Sequence, residues 1–109
     1  MADRISNCWL QGSDDAYCAY ARDGFNYGVT ENAMKWPFME PSENNFNTYS
    51  IEQMFNWCNQ KGWGFRGHCL FWDVDGNGNI PDWVHSKQGD DLVETIHHRI
   101  DTAMPMFQV

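Results

Sequence analysis

The sequence predicts an α/β fold in which helices cover a parallel sheet. Two strand-like runs begin near Phe25 and Phe65, and a well-marked helix separates them. Alternation of strand and helix patterns is typical of parallel sheets, because a parallel connection must cross from one end of the sheet to the other. Polar residues crowd the point at which each run ends, the edge where α/β proteins bind their ligands.

Composition and charge restrict the class of protein. The chain has 109 residues, of which 42% are apolar and 16% aromatic, so it can form one small domain with a core and is not a disordered chain. A net charge of −8 disfavours nucleic acid and anionic membranes as partners, because both are polyanions. The sequence shows no signal peptide or membrane span. A neutral ligand such as a sugar is compatible with this charge.

The four cysteines leave one pairing open. No CxxC pair occurs, which disfavours a zinc ribbon. Cys58 and Cys69 fall at apolar positions of a predicted helix and strand, where buried free thiols are expected. Cys8 and Cys18 can form a disulfide, but the sequence does not decide it.

The first elements are a helix end, a strand and a loop. Residues 14–23 are predicted to end a helix that Gly24 closes, and residues 25–29 to form a short buried strand. Residues 37–49 contain two prolines and several asparagines, so we expect a polar loop there.

The helix that begins at Ser50 is the best-marked element. Ser50 and Gln53 match the Ser-x-x-Gln capping box, in which each side chain satisfies a free backbone N–H. Lys61 suits the negative end of the helix dipole, and Gly62 can adopt the left-handed conformation that ends a helix. An apolar face follows at helical spacing, formed by Ile51, Met54, Phe55 and Cys58.

Residues 65–72 are predicted as the second strand. Alternation puts Arg66, His68, Leu70 and Trp72 on one face. Arg, His and Trp together are unusual for a core and suit a surface that meets a ligand. The alternative is an exposed edge face, which the apolar neighbours disfavour.

A last helix is predicted over residues 92–103. Asp91 and Glu94 resemble a capping box, and Pro105 is expected to stop the helix. The predicted inward face consists of Leu92, Ile96, Ile100 and Ala103.

Two motifs lie in order on either side of the central helix, TENAMKW at residues 30–36 and RGHCLFW at residues 66–72. Together they resemble glycoside hydrolase family ten, the endo-β-1,4-xylanases. Other matching positions extend the resemblance over nearly the whole chain from Tyr17 onward: Phe25, Asn26, Pro41, Phe46, Pro81 and Trp83. The resemblance implies a partial (β/α)8 TIM barrel, since a complete one has about 250 residues. Residues 1–109 would be the N-terminal part of the catalytic domain, covering roughly strands 2 and 3 with their flanking helices.

The resemblance also implies sugar-binding roles for five residues. Glu31, Asn32 and Lys35 would hydrogen-bond hydroxyls on the non-reducing side of the cleavage point. His68 would bond the sugar at that point, and Trp72 would pack beneath it. A sugar ring suits this set, because its hydroxyls need donors and acceptors and its C–H faces need an aromatic surface. Taken singly, each residue has a structural alternative: a Glu31–Lys35 salt bridge, a core tryptophan and a satisfied buried histidine.

The chemistry implied for the full-length parent is hydrolysis of xylan with retention, through a covalent glycosyl-enzyme intermediate, with no cofactor and outside the cell. Retaining glycosidases use two carboxylates about 5 Å apart. The family places the acid/base Glu in a Trp-Asp-x-x-Asn-Glu motif that is expected beyond Val109. We therefore expect no catalytic residue in this segment and no activity from it alone. The motif of Glu31 matches the binding role, not a catalytic one.

Two other functions are alternatives. A non-catalytic carbohydrate-binding module would use the same polar residues, but it requires the segment to fold alone. A calcium-binding protein would use residues 73–80, from Asp73 to Ile80, because DVDGNGNI matches the start of an EF-hand loop. Val84 stands where that loop has its bidentate Glu, so we expect a turn and no metal site. Nor do His97 and His98 form a metal pair, because adjacent helix positions face different sides.

Overall fold

The computed structural model describes residues 8, 16–72 and 78–107. Their elements, in chain order, are α1 (Ala16–Gly24), β1 (Tyr27–Val29), α2 (Trp36–Met39), α3 (Tyr49–Lys61), β2 (Gly64–Arg66), a 3-10 helix (Asp82–Ser86) and α4 (Gly89–Met106). The chain divides into two compact units. The first unit comprises Met1–Ala33 and Thr48–His68, and the second comprises Met34–Asn47 and Cys69–Val109. Among the helices of the described residues, none combines the length and hydropathy that a membrane span needs.

The first unit contains a two-stranded parallel sheet, which confirms the predicted α/β pattern. β1 pairs with β2 in the register Tyr27↔Gly64, Gly28↔Phe65 and Val29↔Arg66, and α3 connects the two strands. The unit also contains a disulfide between Cys8 and Cys18, the pairing that the sequence left open.

The predicted strand over residues 65–72 is wrong in its length. β2 ends at Arg66, and β1 ends at the residue paired with it, Val29. A strand needs a partner strand, because its backbone N–H and C=O groups must be hydrogen-bonded. The alternating side-chain pattern continues beyond Arg66, but no paired residue of β1 is left there. His68 and Trp72 therefore lie on irregular chain that follows the strand.

Helix α3 begins differently from the prediction and ends as predicted. Its N-cap is Thr48, not Ser50, and no side chain caps a backbone N–H; Thr48 Oγ1 instead donates to Glu52 Oε1 at 2.8 Å. Gly62 has a φ of +69° and its N–H bonds back to the last turn, so it ends the helix in the left-handed conformation. The buried residues of the helix are Ile51, Met54 and Cys58.

Gly28 lets α3 approach β1 closely. A Cβ at this position would lie 2.6 Å from Cys58 Sγ and 3.0 Å from Met54 Cε, closer than side-chain atoms can pack. Glycine is therefore required here by contact distance. Burial raises the pKa of the Cys58 thiol, because the thiolate would lose its hydration.

The second unit contains two corrections to the prediction. Residues 37–39 belong to α2 and not to a loop. Pro37 is tolerated because it lies in the first turn, where a backbone N–H has no helical acceptor. Pro105 does not stop α4, which reaches Met106. A proline this near the end of a helix removes one hydrogen bond, the bond that its missing N–H would have made. The helix also lacks the predicted capping box, because its N-cap is Gln88.

The buried side of α4 is rotated from the predicted one. Its buried residues are Thr95, Arg99 and Ala103. Of these, only Ala103 belongs to the predicted inward face. The predicted Leu92, Ile96 and Ile100 are half-buried beside them. Arg99 can lie on the buried side of α4 because its guanidinium donates to backbone oxygens within the same unit, as described below.

We predict that Gly28→Ala destabilises the protein because the added methyl group overlaps Cys58 Sγ. The free energy of unfolding should fall by about 1–3 kcal/mol, the usual cost of overpacking a core. Urea unfolding monitored by circular dichroism measures this. Combining Gly28→Ala with Cys58→Ala should recover part of the loss, because the second change removes the overlapping sulfur atom.

The matched control is Gly24→Ala, whose Cβ would meet only Tyr20 ring atoms at 4.0 Å. Equal unfolding energies for the Gly28 and Gly24 variants would contradict the close packing of α3 on β1.

Candidate functional site

In the first unit, a hydrogen bond joins the chain segments that follow the two strands. Thr30 comes directly after β1 and is buried, and its Oγ1 donates to the backbone oxygen of His68 at 3.4 Å. Glu31 and Asn32 follow and are exposed, while the His68 side chain is half-buried. The predicted polar residues of this unit thus lie just beyond the carboxyl ends of parallel strands, the edge at which such sheets bind ligands.

In the second unit, the structure brings Lys35 and Trp72 together. Lys35 Nζ lies 4.4 Å from the centroid of the Trp72 ring, within the range of a cation–π interaction. Trp72 is 39% exposed and Lys35 is half-buried, so part of each side chain remains accessible. The pair presents a charged donor next to an aromatic surface. Residues 37 positions apart could be matched from the sequence only through the family resemblance.

An aromatic cluster includes the residue that follows Lys35 and the residue that precedes Trp72 in the sequence, Trp36 and Phe71. Trp36 is buried and packs edge-to-face on Phe71 and Trp83, with ring centroids 5.2 and 5.8 Å apart respectively. Such contacts fix the orientation of the rings. Trp36 Nε1 also donates to Glu40 Oε2 at 2.8 Å, so its polar edge is satisfied inside the unit.

Glu40 is a buried carboxylate with defined donors. Besides the Trp36 indole, its Oε1 accepts a hydrogen bond from the backbone N–H of Asn44 at 3.0 Å. Its own backbone oxygen accepts from Trp83 Nε1 at 3.1 Å. The carboxylate thus anchors the loop after α2, and the backbone oxygen of the same residue anchors the 3-10 helix.

Arg99 is the functional-site candidate that the sequence interpretation missed. It is 1% exposed, and its guanidinium donates to the backbone oxygen of Met34 at 2.9 Å and to Met39 Sδ at 3.2 Å, while its Nε donates to the backbone oxygen of Leu70 at 3.4 Å. Burial lowers the pKa of Arg99, and nearby Glu40 opposes that shift. The side chain stays charged, because an arginine is not deprotonated in a protein.

A signal for Arg99 exists in the sequence. Positions 92, 95, 96, 99, 100 and 103 follow helical spacing, and a charged residue in the middle of such a stripe is either a surface residue or a buried anchor. The pattern alone does not choose between them.

The alternative metal sites receive no support from the described residues. Asp73 and the four residues after it, on which the calcium interpretation depends, lie outside them. Across residues 8, 16–72 and 78–107, no group of three or more His, Cys, Asp or Glu side chains is arranged to hold a metal ion. His98 is exposed, with Nε2 2.7 Å from Asn44 Oδ1.

Comparison with known sequences identifies one family. Residues 3–109 match the family model described as Glycosyl hydrolase family 10. Endo-1,4-beta-xylanase 1 of Arabidopsis thaliana is 30% identical over 84 residues, which are 77% of this chain and 9% of that protein. Anti-sigma-I factor RsgI6 of Acetivibrio thermocellus is 30% identical over 95 residues, which are 87% of this chain and 12% of that protein. The chain thus spans only a small part of these relatives.

Solved structures show the same fold. Xylanase 10B from Thermotoga petrophila RKU-1, in complex with xylobiose, superposes with a TM-score of 0.77 at 24% identity, over 95% of this chain and 31% of that one. TsXylA, an intracellular xylanase from Thermoanaerobacterium saccharolyticum solved with xylotriose, superposes with a TM-score of 0.74 at 27% identity. The match covers 86% of this chain and 31% of that one. The predicted fold class, α/β as part of a (β/α)8 barrel, is confirmed. Because the family model matches residues 3–109, this chain belongs to glycosyl hydrolase family 10.

Proposed function

We propose that the full-length parent of this segment is an endo-1,4-β-xylanase and that residues 1–109 are the N-terminal part of its catalytic domain. The observation that carries the proposal is the Lys35 ammonium over the Trp72 ring in a chain of this family. Relatives named as xylanases support the substrate, and solved relatives hold xylobiose or xylotriose.

The pair of Lys35 and Trp72 suits one sugar residue of a xylan chain. The exposed part of the indole offers apolar surface to the ring C–H groups, and the ammonium offers charge-assisted donors to ring hydroxyls. Because the cation already lies on the indole, less side-chain freedom is lost when a sugar binds. The first unit has polar groups of its own that suit sugar hydroxyls: Glu31, Asn32 and His68.

The proposed role of this segment is to bind and not to cleave. Hydrolysis with retention requires an acid/base carboxylate and a nucleophilic carboxylate on either side of one glycosidic bond. The motif of Glu31 corresponds to a binding residue, and the described environment of Glu40 is filled by its own donors. The catalytic pair is therefore assigned to the part of the parent outside these residues, and no cofactor enters the proposed reaction.

A non-catalytic sugar-binding role is the second candidate. The observation that favours it is the 30% identity to an anti-sigma-I factor, a relative whose name is not that of an enzyme. Such a protein would keep the Lys35–Trp72 pair and bind xylan without cleaving it. Hydrolysis by the full-length parent separates the two candidates.

We also propose that the parent works outside the cell. The Cys8–Cys18 disulfide supports this, because disulfides persist in oxidising compartments. Family membership alone does not, since a similar structure belongs to a xylanase described as intracellular.

Lys35→Met and Trp72→Ala should each weaken the binding of xylotriose to the 109-residue chain. The first change removes a charged donor and the second the aromatic surface, so we expect affinity losses of about 10- to 100-fold. Isothermal titration calorimetry measures these losses.

Two surface replacements serve as controls. Lys61→Met changes the same charge at the end of α3, and Tyr49→Ala removes an aromatic side chain that is 66% exposed. Both should bind xylotriose as the unaltered chain does. Equal affinity in Lys35→Met, or no binding by the unaltered chain, would contradict the assigned role of the segment.

The 109-residue chain should release no product from xylohexaose, because it supplies only binding groups. Chromatography of the reaction after long incubation checks this. The full-length parent should release products whose first-formed anomer is β, as retention requires, when the reaction is followed by proton NMR.

Three outcomes would count against the proposal. If the 109-residue chain hydrolyses xylohexaose and its Glu31→Gln variant does not, Glu31 is a catalytic residue. A first-formed α anomer would exclude retention. Binding without hydrolysis by the parent would favour the sugar-binding candidate.

A further inference from the structure

We propose that Arg99 is a positioning residue that holds Lys35 and Trp72 in the arrangement that receives a sugar. The inference rests on the proposed sugar-binding role of that pair. It concerns the second unit alone, in which all three residues lie.

The guanidinium connects the two chain segments that carry the pair. Its Nη2 donates to the backbone oxygen of Met34, the residue immediately before Lys35, at 2.9 Å. Its Nε donates to the backbone oxygen of Leu70, two residues before Trp72, at 3.4 Å. Because one rigid planar group makes both bonds, it sets the distance between the two backbones.

The same two segments contact each other at successive positions. Arg99 bonds Met34 and Leu70, Trp36 packs edge-to-face on Phe71 with centroids 5.2 Å apart, and Lys35 lies over Trp72. The Arg99 guanidinium also lies 5.9 Å from the centroid of the Trp36 ring. Displacement of the guanidinium would therefore change how the segments face each other at the exposed end, where the Lys35–Trp72 pair lies.

Stability alone is a poor reason for a charge at this position. Arg99 is 1% exposed, and burying a charge carries a desolvation cost that a hydrophobic side chain of similar volume avoids. A hydrophobic side chain cannot donate hydrogen bonds, whereas Arg99 donates to two carbonyl oxygens at once. A lysine keeps the charge, but its single ammonium on a flexible stem cannot reproduce the planar fork.

The test uses two variants of the 109-residue chain. Arg99→Lys keeps a positive charge near Glu40 and removes the fork. The double variant Glu40→Gln, Arg99→Met removes both buried charges together, so neither is left without its counterpart. Arg22→Lys, in the first unit, is the matched control for the arginine-to-lysine change.

The first readout is the Trp72 indole N–H signal in the NMR spectrum, identified by its loss in Trp72→Phe. Lys35→Met defines the chemical shift of this indole without the ammonium above it. We expect the signal in both Arg99 variants to move most of the way to that reference, while the indole signals of Trp57 and Trp63 in the first unit stay in place. Arg22→Lys should leave the Trp72 signal unchanged.

The second readout is xylotriose affinity. We expect about a tenfold loss in each Arg99 variant, the equivalent of one hydrogen bond from a charged donor. A moved Trp72 signal in a chain that binds no xylotriose would overturn the proposed function but support the link between Arg99 and the pair.

Two results would overturn the inference. One is a cooperatively folded Arg99 variant with an unchanged Trp72 signal. The other is loss of cooperative unfolding in both variants, which would assign Arg99 to stability alone.

Discussion

A buried guanidinium fixes how the second unit is arranged. Arg99 reaches from α4 to the backbone oxygens of Met34 and Leu70, so a residue near one end of the sequence organises two segments far from it. The charge is costly to bury, and it is retained where hydrogen bonds and the nearby Glu40 carboxylate compensate it. The aromatic cluster around Trp36 and the exposed Lys35–Trp72 pair both border these bonds.

The first unit depends on a different constraint, the absence of a side chain. Gly28 lets the Cys58 sulfur approach β1, and this contact seats α3 on the two-stranded sheet. The polar residues after the strands depend on that sheet, since Thr30 donates to the backbone of His68 where the ladder has ended. Each unit thus combines a packed interior with polar groups at its surface.

The sequence predicted those parts of the fold that depend on residues close together in the chain. Helix α3 and its Gly62 end follow from apolar spacing and left-handed conformation, and the parallel sheet follows from the strand–helix–strand order. The end of β2 was predicted too late, because strand length depends on the partner strand. The Arg99 anchor and the Cys8–Cys18 disulfide depend on distances in space, which spacing in the sequence does not contain.

The candidate site was named from the sequence only through the family motifs, and the structure adds a physical reason for two of its residues. An ammonium on an indole face is a defined cation–π contact, whereas the same two residues in the sequence are a lysine and a tryptophan with no visible relation. The anchoring residue carries no motif and touches no predicted ligand group, so motif comparison could not find it.

The most direct measurement is an NMR titration of the 109-residue chain with xylotriose, followed at assigned side-chain signals. We expect saturable shifts at the Lys35 ammonium, the Trp72 indole and the His68 ring, with the Tyr49 ring unaffected. Saturable shifts confined to residues away from these three, or no shifts at high xylotriose concentration, would contradict it.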